Sequence, residues 1–262
     1  MNFSRKKFFS RAINRLFTIL FSKLKEKTFG HGENRVKYLF FPGRPGANTT
    51  LAVCFPAFAG KGAKYNYIRT LSQFKINKLF LLDDIGGNID KGNYLIKKGI
   101  EENVINLIQS FIDKTQPKTI IFYGSSKGGY SALNFSLHFN NVYVCIAAPQ
   151  YFLADYLIKE KKQNNLETIL DNRINDKTIT ELNNRLRRKL TTSNNKPTAI
   201  YIHYSDSEHT YKEHIADLIN DIKENKIYLI EDIKHYTNHM DLVYYFPDFL
   251  KKSIKKILDM QH

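Results

Sequence analysis

In this 262-residue chain, the residue types and spacing of Gly124-Ser125-Ser126-Lys127-Gly128-Gly129 point most directly to chemistry. An apolar β-rich run, Thr119 to Tyr123, leads into this stretch and a helical pattern, Lys127 to His138, leads out of it. Glycines two residues before and after Ser126 permit a tight strand-to-helix turn that lifts a hydroxyl above a sheet, where larger flanking residues would strike neighbouring elements. The helix that follows aims its free first-turn amides at the same point, which favours a developing oxyanion. Ser126 is thus the candidate nucleophile for acyl chemistry. The plainer alternative is a turn in which Ser126 or Ser125 only caps the helix.

A serine hydroxyl is a poor nucleophile without a base, and the base needs an acid to orient it. Strand pattern Thr198 to Tyr204 is followed by Ser205-Asp206-Ser207-Glu208-His209, and strand pattern Lys226 to Ile230 leads through His235 to His239. Asp206 is the expected acid because it stands first after its strand; Glu208 and Asp155 are the alternatives. His239 is the expected base because a final helical pattern, Met240 to Leu258, begins directly after it; His235 is its rival. A second oxyanion donor is expected from the loop Pro56-Ala57-Phe58-Ala59-Gly60-Lys61-Gly62, with the amide of Ala57 or Phe58 joining that of Lys127, the residue after the nucleophile.

These residues need a scaffold that brings several strand ends together. Val36 to Phe41, Thr49 to Phe55, Lys78 to Leu82 and Val142 to Ala147 complete the strand patterns, and Tyr94 to Asp113 reads as a further helix. Strands separated by single helices imply an α/β fold with a mostly parallel sheet covered on both faces. Residues 156–196 break the rhythm with helical, Asn-, Lys- and Arg-rich sequence, too poor in apolar residues to form a core of its own, and read as a helical lid inserted into one domain spanning 31–262.

Charge is uneven. The formal net charge is +15, with 42% hydrophobic residues, a composition that excludes disorder and asks for a polyanionic partner. Residues 1–30 carry Arg5, Lys6, Lys7, Arg11, Arg15, Lys23, Lys25 and Lys27 against Glu26 alone, around an apolar stripe from Phe9 to Leu24 at helical spacing. This segment reads as a basic amphipathic helix for an anionic membrane surface or a protein partner, or as a helix packed on its own domain. Its longest apolar run, Leu16 to Phe21, is too short for a span, and no cleavage site follows it. The location expected is cytoplasmic, with 1–30 peripheral on the inner membrane face. Nucleic-acid motifs are absent, so nucleic acid is not an expected partner. Cys54 and Cys145 each lie in an apolar run and read as core residues, and no metal site is expected.

The GSSKGG elbow, the short α/β core and the spacing to Asp206 and His239 resemble the serine-dependent O-acetyltransferases of bacterial capsule biosynthesis, which have the α/β-hydrolase fold. The resemblance covers the layout from Val36 to the C-terminus. It implies that Ser126 takes an acetyl group from acetyl-CoA, a co-substrate and not a permanently bound cofactor. It further implies that His239 acts as general base and acid, that Asp206 orients it, and that a hydroxyl of an anionic capsular polysaccharide attacks the acetyl-enzyme. On this reading capsule-assembly proteins join the possible partners of residues 1–30. Two other outcomes fit the same residues: a carbohydrate esterase using the same triad, and a non-catalytic component of a glycan or secretion complex.

Overall fold

The computed structural model describes residues 24–44, 49–58, 62–85 and 92–260. Its frame is one eight-stranded sheet in the order β1-β2-β4-β3-β5-β6-β7-β8. The strands are β1 (Lys27–Phe29), β2 (Val36–Phe41), β3 (Thr50–Cys54), β4 (Asn77–Leu82), β5 (Thr119–Ser125), β6 (Val142–Ala147), β7 (Ala199–Ser205) and β8 (Leu229–Lys234). The first two run antiparallel to their neighbours, and β4, β3, β5, β6, β7 and β8 are mutually parallel.

Alternation along the central strands splits the core in two, because successive side chains of a strand leave opposite faces. Leu51, Val53, Ile120, Phe122, Val144 and Ile202 belong to one buried cluster, together with residues of α1 (Ile100–Thr115) and α2 (Lys127–Ser136). Ala52, Cys54, Ile121, Tyr123, Cys145 and Tyr201 belong to the other, which is closed by α8 (Leu242–Asp259) through Phe246, Phe249, Leu250 and Ile254. Both cysteines are buried core residues, and burial pushes their thiols up.

Four short helices lie between β6 and β7: α3 (Leu153–Lys159), α4 (Gln163–Leu170), α5 (Asp176–Asn183) and α6 (Arg185–Thr192). They supply Leu157, Leu166, Leu182, Leu186 and Leu190 to the first cluster, so the insertion is packed onto the domain and shares its core. After β7 a π-helical stretch, Tyr211–Ile215, leads into α7 (Ala216–Glu224).

Three expectations need correction. The helix expected from Tyr94 starts at Ile100, because Gly99 adopts φ 83° just before it. The eighth strand runs Leu229–Lys234 and not Lys226 to Ile230: Glu231 and Asp232 look like turn residues, but on the sheet edge they meet Tyr204 and His203 of β7. Of the helix expected over 1–30, residues 1–23 lie outside the described residues, and Lys27–Phe29 pairs with β2 as a strand instead. Among the described residues no helix is long and apolar enough to cross a membrane.

Candidate active site

Ser126 sits between β5 and α2 with φ 52° and ψ −121°, a left-handed backbone that a side chain bears only when its surroundings enforce it. Those surroundings are specific. The Ser126 amide donates to the Ala147 carbonyl at 2.7 Å, and its own carbonyl accepts from the Gly129 and Tyr130 amides at 2.9 and 3.1 Å. A side chain on Gly124 would come within 2.5 Å of the Gly128 backbone, and one on Gly128 would strike the Phe55 carbonyl. The two glycines therefore let β3, β5 and α2 approach closely enough to present the serine. Behind it Ser125 is buried, its hydroxyl 2.5 Å from that of Tyr67.

The Ser126 hydroxyl lies 3.0 Å from Nε2 of His239, and Nδ1 of the same ring lies 2.6 Å from Oε1 of Glu208. His239 opens a 3-10 turn, His239–Asp241, between β8 and α8, and Asn238 caps that turn by accepting from the Met240 amide at 2.9 Å. The histidine side chain is 24% exposed while that of Glu208 is sealed from solvent, so the ring is reachable from the serine side and held from the protein side. The second carboxylate oxygen of Glu208 is buried with no hydrogen-bond partner among the described residues, so the carboxylate is held through its bond to Nδ1 of His239.

The expected acid, Asp206, is elsewhere. Its carboxylate is 40% exposed and binds His235, with Oδ1 2.8 Å from Nδ1; hydrogen bonds from His235 and Ser207 hold it below the usual aspartate range. Asp206 continues the line of β7, its amide still bonded to Lys234 of the edge strand at 3.2 Å, and stays at the rim. Glu208 follows a two-residue turn, which carries the chain inward, and its extra methylene gives it the reach to His239. The two acids and two histidines left open by the sequence thus pair as Asp206 with His235 and Glu208 with His239. Asp155, the third acid considered, is exposed on α3 and accepts from Asn183 at 2.7 Å.

The oxyanion expectation is altered as well. Ala57 is excluded, because its amide donates to Oδ1 of Asn66 at 3.1 Å. Phe58 packs its ring edge-on to Tyr94 at 5.7 Å, with the ammonium groups of Lys162 and Lys127 at 4.6 and 5.4 Å. Lys127 opens α2, so its amide is one of the first-turn donors without an intrahelical acceptor. Its side chain is buried in an ion pair with Asp83, whose second oxygen accepts from the Asn93 amide at 3.0 Å. Burial pulls the Lys127 ammonium down and Asp83 pushes it up. This pair ties the start of α2 to the end of β4, a contact between distant segments that no local pattern announces.

Sequence reasoning also missed Gln150, in the loop after β6. It is fully buried and its Nε2 lies 2.6 Å from the Ser126 hydroxyl. It belongs to no motif, so only the fold reveals it. Among the described residues no group of three or more His, Cys, Asp or Glu could hold a metal ion.

No protein-family profile matches the sequence, and no curated protein matches it. Solved structures do. The chain superposes on the capsule O-acetyltransferase of Neisseria meningitidis serogroup A with a TM-score of 0.71 at 24% identity, covering 87% of this chain and 94% of that one. A histidine-to-alanine mutant of that protein in complex with CoA gives 0.72 at 22% identity, covering 88% and 95%. The glycosylation-associated Gap123 complex of Streptococcus agalactiae gives 0.72 at 16% identity, covering 89% of this chain and 46% of that one. Together with the parallel sheet and the elbow, these superpositions establish that the chain has the α/β-hydrolase fold and resembles the serogroup A capsule O-acetyltransferase over nearly its whole length.

Proposed function

We propose that this protein is a serine-dependent O-acetyltransferase that moves acetyl from acetyl-CoA to a hydroxyl of an anionic surface polysaccharide. One observation carries the reading: the continuous hydrogen-bonded line from the Ser126 hydroxyl through His239 to the buried Glu208. The fold it shares with a capsule O-acetyltransferase, one form of which binds CoA, supports the choice of acyl donor and acceptor.

In the first half-reaction the Ser126 proton passes to Nε2 of His239 as Oγ bonds to the thioester carbonyl carbon. The carbonyl electrons move onto oxygen, facing the amides of Lys127 and Phe58. Collapse expels the CoA sulfur, which takes the proton from His239 and leaves acetyl on Ser126. A sugar hydroxyl then gives its proton to His239 while its oxygen attacks the acetyl carbon, and collapse returns that proton to Ser126. Glu208 holds the ring in the tautomer with the proton on Nδ1 and stabilises the imidazolium in both halves. The helices between β6 and β7 act as a lid that keeps water from the acetyl-enzyme; Lys162 on Phe58 marks where they meet the site. The basic segment before β1, residues 1–23, brings the enzyme to the inner membrane face.

Incubation with acetyl-CoA followed by peptide mass spectrometry should find acetyl on Ser126, and added polysaccharide should remove it and become acetylated. No adduct in wild type overturns the reading. Adduct that decays to acetate at the same rate with or without polymer makes the protein an esterase instead.

A further inference from the structure

Resting on Ser126 as nucleophile, we infer that Gln150 is a further catalytic residue: its side-chain amide, which donates to the serine oxygen before reaction, donates to the adjacent acyl carbonyl oxygen as charge develops there and completes the oxyanion site. The direction of this hydrogen bond is fixed by the rest of the line. Nδ1 of His239 faces the Glu208 carboxylate and carries the ring proton, so Nε2 is the acceptor and the single Ser126 proton points to it. Oγ therefore has only lone pairs left for its other neighbour. That neighbour, 2.6 Å away, is Nε2 of Gln150, and an amide nitrogen can only donate. The hydroxyl of Tyr94, 3.5 Å from Oε1 of Gln150, faces the opposite end of the amide and agrees with this orientation.

Gln150 is fully buried and its loop is anchored, with the Ala148 amide donating to the His203 carbonyl of β7 at 3.0 Å. A donor held there is in place before reaction, and as Oγ spends its lone pair on the acyl carbon the amide is left to the neighbouring carbonyl oxygen, where charge builds, so it favours the transition state over the ground state. The acyl carbonyl oxygen is bound to the same carbon that Oγ attacks, which brings the developing oxyanion beside the same N–H groups. With the Ala57 amide taken by Asn66, Gln150 joins the amides of Lys127 and Phe58 as a third donor.

The test uses the full-length protein and p-nitrophenyl acetate, with single-turnover release of p-nitrophenol as the readout of acylation. Gln150→Met keeps the length and removes the donor; acylation should slow by about a hundredfold or more, with little change in the concentration of ester giving half-maximal rate. Gln150→Glu should be similarly slow at pH 8 and should recover relative to wild type at pH 5, where the carboxyl regains a proton to donate. A purely structural role would show the same pH dependence in the melting temperature of the Glu variant, so recovery of the rate without a matching recovery of stability assigns the donor. That comparison also decides the matter if the Met variant fails to fold. A Met variant within about threefold of wild type, or a Glu variant with a flat ratio to wild type across pH, overturns the inference. Wild type that acylates but transfers to no polymer overturns the transferase reading alone, and wild type that does not acylate overturns both.

Discussion

At the scale of single residues, the site turns on which acid orients His239. A carboxylate in this role must be fixed and shielded, because a solvated one neither holds the ring nor feels its charge strongly. Glu208, sealed from solvent and 2.6 Å from Nδ1, meets that requirement, and Asp206, 40% exposed on His235, does not. Glu208→Gln should therefore lower the acylation rate by roughly 10³ to 10⁴, since an amide can hold the ring in the wrong tautomer. Asp206→Asn should leave it within about threefold. Single-turnover acylation by p-nitrophenyl acetate reads both, and the opposite ranking would return the role to Asp206. Ser126 and His239 were legible in the sequence because glycine spacing and the approach to a final helix are local signals. The choice of Glu208 was not, because it depends on how the chain turns after β7 and on which side of the rim each carboxylate falls. Gln150 was invisible for a similar reason: a lone glutamine after a strand carries no pattern, and its meaning comes only from the neighbouring strand end.

Elements were more legible than contacts, and the basic insertion shows why. Nearly continuous apolar runs place β3, β5, β6 and β7 because a strand buried in a parallel sheet must satisfy both faces at once. Three-residue β1 and charged β8 escape that rule, since edge strands bury little and tolerate Glu231 and Asp232. In the insertion the helices were expected but not where their cations go. Arg185 and Lys189, one turn apart on α6, both turn inward to Glu101 of α1, at 2.5 and 3.0 Å from Oε1, and Lys189 also reaches Asn134 and His138. Burial raises the Glu101 carboxyl, yet the attraction of Arg185 and then Lys189 outweighs it and brings the group down to about 2. A carboxylate depressed in the folded state stabilises the fold above its ordinary range and loses that contribution as pH falls through the folded value. Glu101→Gln should therefore melt roughly 10 °C below wild type at pH 7, the effect of about 3 kcal/mol for stranding two cations. The gap should shrink as the pH is lowered from about 4.5 toward 2. Calorimetric melts across that range check it, and a gap independent of pH would mean that Glu101 acts by packing alone.

For the molecule as a whole, these internal pairs change what the charge of +15 means. The insertion contributes Arg185 and Lys189 to Glu101, Lys159 to Glu213, and Arg187 to Asp217 and Asp221, so part of its positive charge is spent on holding the helices to the domain. Arg173 and Arg188 stand differently: both are exposed and line a hollow of about 250 Å³ together with Thr178 and Glu181. Residues 1–23 add Arg5, Lys6, Lys7, Arg11, Arg15 and Lys23 with no acid among them. If the excess charge serves two anions, a surface for the N-terminus and a polymer for the insertion, two lesions should separate. Replacing Arg173 and Arg188 by Glu should raise KM for an anionic acceptor polymer about tenfold, an effect that fades as salt rises toward 0.5 M and the screening length falls to a few ångströms. The same variant should bind phosphatidylglycerol-containing vesicles as wild type does. Deleting residues 1–23 should remove vesicle binding while leaving both KM for the polymer and acylation by p-nitrophenyl acetate within about twofold. Because acylation by a small neutral ester involves neither anion, it must stay constant across both variants. A fall in it would show that the charged segments shape the active site and do not merely recruit its partners.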